Sequence, residues 1–329
     1  MLPAFTAGNG GRTGKSYPGT TKNDPQGRED LMNDQDKLHE TNRYQDADFP
    51  VGVYTVTPQG IQPEGRGFRD LHWHEELQFT LVTDGRLTMR VNGDDHRLEQ
   101  GQAIFINRDL LHVTTELSAF GRYVSINFPD KMLSFFAGSR MEQDCVTPYA
   151  GNVTLPALVY SPQEEWQRQG IACMEEIIGL LTAAERPPFW EYEAAMKCTQ
   201  LWFGLISNCG DSLAPPSRGD VRRQQRIREM LAFIHEHYRE PLTLAQTAAA
   251  AHVSEGECCR CFQAVVRKSP MQYLQSYRIA RGQELLTGSD LSVTEIAYAC
   301  GFGDSSHFIQ YFRRQTGLTP RDYRKQTQK

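Results

Sequence analysis

Histidine and acidic side chains cluster in the stretch DLHWHEELQF, residues 70–79. His72 and His74 are one residue apart, and Glu75 and Glu76 follow directly. Imidazole nitrogens and carboxylates are common ligands of transition metals, so this spacing could hold a catalytic metal ion. The same side chains could instead line a polar pocket that senses a small molecule, and this stretch by itself leaves both interpretations open.

An alternating pattern around the histidines predicts β-strands. Apolar residues alternate with polar ones at 77–81 and again at 87–91, after which Asn92-Gly93 is a typical hairpin turn. Apolar stretches at 103–106 and 123–128 predict two further strands. Short antiparallel strands joined by Gly-rich turns are typical of a small sandwich or barrel.

Charge is distributed unevenly along the 329 residues. Residues 221–329 carry 16 Lys and Arg against 10 Asp and Glu, a net charge of +6, whereas residues 1–220 have a net charge of −11. Because the C-terminal part is basic and the rest of the chain is acidic, we predict that only the C-terminal part binds a polyanion. No apolar run reaches the roughly 18 residues that a bilayer span needs, so we expect a cytoplasmic protein with no membrane partner.

Composition suggests where the domains begin and end. Residues 1–46 are poor in large apolar groups and are predicted to be a disordered tail, and residues 47–160 hold the strands. Amphipathic helices are predicted at 163–184 and 189–208, within a segment 161–210 that could cover the barrel or form a homodimer contact. Residues 211–220, which contain two adjacent prolines, are predicted to be the linker to a domain at 221–329.

Three cysteines lie close together in the C-terminal domain, at Cys258, Cys259 and Cys261. They could form a metal or redox site. Reduced cysteines also serve as small buried apolar residues, which is the interpretation that we favour, because the spacing of a thiolate zinc site is missing.

The C-terminal domain repeats one unit of about fifty residues. Equivalent residues are 49 or 50 positions apart: Leu242 and Leu291, Ala248 and Ala297, Ala250 and Ala299, Phe262 and Phe312, Pro270 and Pro320, Tyr273 and Tyr323. Each unit predicts a short helix, a tight turn and a second helix. Thr243 can cap the first helix, and capping boxes are predicted at Ser254 with Glu257 and at Ser292 with Glu295.

Each unit is therefore either a DNA-binding helix-turn-helix or a plain helical hairpin. Gly301 suits a left-handed conformation in the second turn. A helix over 271–286 would span about 24 Å between the two units. That separation would let both second helices enter successive major grooves of one DNA duplex.

The second unit, with SHFIQYFRRQTGLTPRDYR preceded by IAYACGF, resembles the AraC family of bacterial transcription regulators. The resemblance covers about residues 222–328, although Cys258 stands where similar proteins have Leu. It implies base contacts in the first unit from Glu255, Gly256, Cys259 and Arg260. In the second unit it implies base contacts from Ser305, Ser306, Ile309 and Gln310, while Arg313, Arg314 and Arg278 are candidates for phosphate contacts.

The N-terminal barrel resembles a cupin, the sensing module of many such regulators. Metal-binding cupins carry His-x-His-x-x-x-Glu and a distant His, to which His72, His74 and His112 correspond, but Gln78 replaces the glutamate. A neutral amide is a poorer ligand for a divalent cation. We therefore expect His72, His74, Gln78 and His112 to bind a small-molecule effector without a metal or other cofactor. A cupin enzyme similar to metal-dependent dioxygenases is the alternative.

Together these observations predict an α+β multidomain protein: a cupin-like antiparallel β-barrel with helices, followed by an all-α domain with two helix-turn-helix units. The resemblance implies a ligand-responsive transcription regulator rather than an enzyme, and it leaves open whether ligand binding activates or represses transcription. Its expected partners are double-stranded promoter DNA, a small-molecule effector, RNA polymerase and a second copy of the chain.

Overall fold

The computed structural model describes residues 38–42, 44–46, 48–63, 70–209, 213 and 217–327. These belong to one compact unit that extends from Lys37 to Lys329. The predicted disordered tail up to residue 37 and most of the predicted linker at 211–220 lie outside the described residues.

The N-terminal part of the described chain forms two antiparallel sheets. A six-stranded sheet has the order β2-β1-β8-β3-β6-β9, and a three-stranded sheet has the order β5-β4-β7. The strands are β1 (Gly52–Thr57), β2 (Gly60–Gln62), β3 (Leu77–Asp84), β4 (Arg86–Val91), β5 (Asp94–Glu99), β6 (Ala103–Ile106), β7 (His112–Leu117), β8 (Arg122–Phe128) and β9 (Ala157–Tyr160). This confirms the predicted cupin-like arrangement, with the Asn92-Gly93 turn joining β4 to β5.

The alternation along β3 does not separate a buried face from a solvent-exposed one, because both faces of the strand are buried. Phe79 and Leu81 belong to a core that includes helices, whereas Gln78 and Thr80 are also buried, at 5% and 0% exposure. Thr80 pairs with Ser125 across the β3–β8 ladder. The polar face of β3 therefore points into the barrel and supplies the hydrogen-bonding groups of its interior.

Two helices cover the outer face of the larger sheet. They are α1 (Glu165–Thr182) and α2 (Trp190–Cys209), which confirms the predicted helices to within two residues at each end. Their apolar sides share one core with the sheet, in which Met174, Ile177 and Leu205 are fully buried.

The C-terminal part is helical, as predicted, and contains both helix-turn-helix units. Its helices are α3 (Arg218–His237), α4 (Leu244–Ala250), α5 (Glu255–Val265), α6 (Pro270–Gly288), α7 (Val293–Ala299), α8 (Ser305–Thr316) and α9 (Pro320–Thr327). The first unit is α4–α5 and the second is α7–α8. Helix α6 has 19 residues, about 28 Å, and contributes to the cores of both units.

The turns follow the predicted chemistry with one exception. Thr243 with Gln246 and Ser292 with Glu295 form complete capping boxes, and Gly301 has a φ of +78°. A Cβ on Gly301 would lie 2.5 Å from the carbonyl oxygen of Tyr238, so the turn also needs glycine for space.

The exception is the capping box predicted at Ser254, which is half formed. The Ser254 hydroxyl accepts from the amide of Glu257, but the Glu257 carboxylate binds Arg260 instead of returning to the cap. An ion pair with a guanidinium is the stronger contact for that carboxylate.

The prediction of a disordered tail extends too far toward the C-terminus. Leu38 is only 3% exposed and packs in the core of the first helix-turn-helix unit. Asn42 and Tyr44 donate to the two carboxylate oxygens of Glu76, at 2.7 and 2.6 Å. The amino-acid composition did not reveal that this segment is folded, because a few specific contacts, and not a run of apolar residues, hold it in place.

The barrel packs directly on the first helix-turn-helix unit. Leu38 and Leu111 join the core formed by α3, α5 and α6. The Arg267 guanidinium, just after α5, donates to the carbonyl oxygen of Gly93 at 2.9 Å. A Cβ on Gly93 would lie 2.0 Å from the carbonyl oxygen of Ala264, so the β4–β5 turn fits closely against the end of α5.

Candidate nucleic-acid interface and ligand cavity

Helix α8 presents one polar and basic face. Asp304 caps its N-terminus, and Phe308 and Phe312 anchor its other side in the core of the second unit. One shallow depression on the open side is lined by the predicted contact residues Ser306, Ile309, Gln310, Arg313 and Arg314. Ser305 is half-exposed in the first turn. The geometry therefore gathers the predicted second-unit residues on one accessible surface.

Helix α5 is anchored in the same way in the first unit. Cys258, Cys261 and Phe262 are buried, which leaves Glu255, Gly256 and Arg260 exposed and Cys259 half-buried. The predicted contact residues thus share the outer face. The side chain of Arg260 is 71% exposed and reaches back to Glu257.

One prediction for this domain is wrong, and the favoured interpretation of the cysteines holds for two of the three. Arg278 is not available for a phosphate, because it is 7% exposed and its guanidinium donates to the carbonyl oxygens of Tyr238 and Glu240, both at 2.7 Å. Arg278 therefore provides hydrogen bonds to the carbonyl groups that follow α3, and its role is structural. Cys258 and Cys261 are apolar core, as favoured, whereas Cys259 is half-buried on the outer face of α5. Burial raises the pKa of Cys258 to about 12.

The barrel histidines meet where the chain enters β3 and β7. The amide of His72 donates to the carbonyl oxygen of His112 at 3.1 Å, and the amide of His112 donates back at 2.9 Å. This bridge brings together ligand nitrogens of His72, His74 and His112 that all lie within 4.8 Å of one another. His74 and His112 are almost completely buried.

Backbone contacts fix the tautomers of two of these rings. The Nδ1 atoms of His72 and His112 donate to the carbonyl oxygens of Asp70 and Leu110, at 2.7 and 2.9 Å. A proton on Nδ1 leaves the lone pair on Nε2. Burial, and then the charges of the two neighbouring histidines, lower the pKa of His112 well below its usual value, so that ring is neutral at neutral pH.

Gln78 and Glu40 complete the polar cluster. The Nε2 atom of His74 is 2.9 Å from Oε1 of Gln78, whose amide group donates to Thr80. The carboxylate of Glu40, from the segment that was predicted to be disordered, is 3.2 Å from Nε2 of His72. An acidic group therefore lies beside the histidines although position 78 is an amide.

These residues border a small cavity inside the barrel. Its volume is about 40 Å³, far below the roughly 300–1,000 Å³ of pockets for drug-sized ligands. Three of the four predicted residues line it, namely His72, Gln78 and His112, while His74 lies behind them against the His112 ring. The space suits an ion with a few water-sized groups.

Comparison with known proteins agrees with both halves of this structure. Residues 53–116 match the cupin domain family, and residues 247–326 match a helix-turn-helix domain family. An uncharacterised HTH-type transcriptional regulator of Bacillus subtilis, YdeC, is 29% identical over 88% of this chain and 96% of its own length. The HTH-type transcriptional activator RhaS of Escherichia fergusonii is 28% identical over the same shares of the two chains.

The chain belongs to the AraC family of transcriptional regulators. It is a DNA-binding regulator with a cupin domain, as predicted. Among solved structures, the DNA-binding domain of AdpA in complex with a target DNA is 36% identical, over 30% of this chain and 87% of that chain, with a TM-score of 0.29. No described helix of this AraC-family regulator is long and apolar enough to cross a membrane.

The cupin fold raises the question of a metal ion, and the residues of this regulator fit one. The Nε2 atom of His112 is buried and has no hydrogen-bond partner among the described residues. A neutral imidazole with a fixed Nδ1 proton and an open Nε2 lone pair is the form that binds metals. His72 and His74 would hold the ion together with His112 once their Nε2 atoms give up the contacts with the Glu40 carboxylate and with Oε1 of Gln78.

Several residues of the cavity were missed by sequence analysis. Tyr123, Ser125 and Asn127 line it from alternate positions of β8, and Asn42 lies next to Glu40. A period of two along β8, with polar groups at every second position of an otherwise apolar strand, could have revealed three of them. Nothing local marks Asn42 or Glu40, which reach the barrel only through the folded N-terminal segment.

Proposed function

We propose that the outer faces of α5 and α8 read promoter DNA. Arg260 is suited to guanine and Gln310 to adenine, because each side chain can form two hydrogen bonds with the major-groove edge of its base. Glu255, Gly256 and Cys259 would complete the first reading face, and Ser305, Ser306 and Ile309 the second. Arg313 and Arg314 would bind phosphates. The observation that carries the proposal is that both faces are accessible while the opposite sides of the helices are buried in the cores.

The barrel cavity is proposed as the effector site of this regulator. His72, Gln78 and His112 border it directly, and His74 supports their arrangement. An effector that fits this volume is a small polar species. Binding would act on transcription by favouring one arrangement of barrel and DNA-binding domain over another.

A divalent cation is the second candidate for this site, favoured by the open Nε2 atom of His112. The cation would supply a fixed positive charge to which an effector oxygen could bind. The protein itself would act as a sensor and not as an oxygenase, since its relatives are named as regulators. Metal analysis of the purified chain, together with oxygen consumption, tests this, because a stoichiometric metal with oxygen uptake would favour the enzyme.

Homodimerisation is proposed through the outer face of α2. Tyr192, Met196 and Phe203 lie at positions i, i+4 and i+11 and are 72%, 57% and 65% exposed. Large apolar side chains in one stripe of a helix are typical of a contact surface. A second copy with the same stripe would bury both faces.

RNA polymerase is proposed as a further partner, consistent with activation of transcription. The decisive experiment is genome-wide mapping of the sites occupied by the full chain. Occupied promoters should share a motif with two half-sites about one helical turn apart, because α6 separates the two reading helices. Occupancy without any shared motif would contradict sequence-specific recognition.

A further inference from the structure

A second cavity lies between the barrel and the first helix-turn-helix unit. Its volume is about 420 Å³, ten times that of the histidine cavity. Residues of β4, β7, α5 and α6 contribute to its walls. This volume lies within the roughly 300–1,000 Å³ of small-molecule sites, and both domains form it, so an occupant would contact both at once.

Two cations from different domains border this cavity. Arg90 belongs to β4, and Lys268 lies three residues beyond the end of α5. The Arg90 guanidinium already binds Asp95 on the neighbouring strand, at 2.7 and 2.9 Å. The Lys268 ammonium donates to the hydroxyl of Ser276 at 2.9 Å and has no carboxylate partner within the described part of the chain.

The electrostatic environment of Lys268 is unfavourable to its charge. Although the residue as a whole is exposed, desolvation of the ammonium group, and then repulsion by Arg90, lower the pKa of Lys268. The other charged groups that line the cavity are Asp70 and Arg281, and they pair with each other at 3.8 Å. The Asp70 carboxylate is therefore turned toward Arg281, which also binds Glu284 at 2.8 Å. An anion between the two domains would replace repulsion by attraction.

The rest of the cavity is suited to an apolar body. Val265, Val266 and Tyr277 are buried wall residues on the helical side, and Val113 of β7 faces them from the barrel. An occupant that carries both a charge and an apolar surface would therefore find matching groups on both domains.

We propose that this cavity binds a small organic anion, with its carboxylate or phosphate group between Arg90 and Lys268 and its apolar body along the valine and tyrosine wall. The ligand would fix the barrel against the first reading helix, because Lys268 follows α5 directly. Strand β7 is the common wall of the two cavities, since Thr114 lines both. This site is separate from the histidine cavity. If no anion binds there, the assignment of the protein as a DNA-binding regulator still stands.

Calorimetric titration of the full chain tests the site with two anionic probes, 3-phenylpropionate and phenyl phosphate, and one uncharged probe, 3-phenylpropionamide. We expect the anions to bind and the amide to bind at least about ten-fold more weakly, as loss of a charge-assisted contact implies. A stronger response to one anion identifies the headgroup. Lys268→Gln and Arg90→Gln should each weaken anion binding by a similar factor, whereas Arg97→Gln, an exposed cation on β5, should not.

A charge reversal tests the repulsion without any ligand. Lys268→Glu places a carboxylate opposite Arg90, so this variant should unfold at a higher temperature than the wild type and should no longer bind the anions. The proposal is overturned if neither anion binds the wild type, if Lys268→Gln and Arg97→Gln bind them equally, or if Lys268→Glu lowers the unfolding temperature. DNA binding measured on the same samples shows whether the regulator itself remains functional.

Discussion

Arg260 and Glu257 form an ion pair on the exposed face of α5, with Nε and Nη2 of the arginine donating to one carboxylate oxygen at 3.1 and 2.5 Å. The hydrogen bond from Arg260 holds the pKa of Glu257 below its usual value. The pair keeps the guanidinium extended along the helix surface. The Glu257 carboxylate therefore competes with DNA for the guanidinium of Arg260, the side chain that is proposed to read guanine.

Removal of the arginine should weaken specific binding. We expect Arg260→Ala to cost about 1–3 kcal/mol of specific DNA-binding free energy and to relax sequence preference at one base pair. Fluorescence anisotropy with operator variants measures both effects. An equal loss for every DNA sequence would mean that Arg260 contacts only phosphate.

Removal of the competitor should have the opposite effect. Glu257→Gln frees the guanidinium and deletes a negative charge near the DNA, so affinity should rise several-fold, most clearly at low salt. Glu236→Gln, an exposed acid on α3, is the control for a general change in charge and should leave the affinity nearly unchanged. Weaker binding by Glu257→Gln would indicate that the carboxylate itself helps to position Arg260.

The basic end of α8 should contribute affinity without specificity. Arg314→Gln is expected to weaken binding to all sequences alike and to reduce the slope of log K against log salt concentration by about 1. Gln310→Ala should instead alter sequence preference and leave the slope unchanged. Arg321→Gln on α9 is the control, and a matching loss of slope in that variant would place the phosphate contact elsewhere.

The contact of the β4–β5 turn with α5 can be tested with two glycines. Gly93 and Gly101 both have positive φ, +98° and +82°, so alanine strains both backbones, but only a Cβ on Gly93 meets α5. Gly93→Ala should therefore increase hydrogen exchange along α5 and the β4–β5 turn, whereas Gly101→Ala should affect only its own loop. Equal exchange along α5 in the two variants would show that the turn does not hold the domains together.

The proposed dimer face predicts a change in mass. Phe203→Glu places a charge in the apolar stripe of α2 and should shift the protein from dimer to monomer, because an unpaired charge is costly in a buried contact. Light scattering at several concentrations measures the shift. Phe120→Glu is the control, since Phe120 is 92% exposed in the loop between β7 and β8. A monomeric wild type would rule out this surface as a dimer contact.

The sequence by itself determined the elements and their order. Period-two alternation identified β3 and β4, and capping residues with a fifty-residue repeat identified both helix-turn-helix units, because these signals depend on neighbours within a few residues. The resemblance to the AraC family implied which residues of α5 and α8 form the reading faces. The spacing of His72 and His74 indicated a site, and the resemblance to a cupin implied His112 as their partner.

Tertiary structure decided which distant groups meet. It brought Glu40 to His72, buried Arg278 against the end of α3, and placed Arg90 and Lys268 on the walls of one cavity between the domains. Local periodicity carries no information about such pairs, since they arise only when separate elements pack and each buried polar group must find a partner.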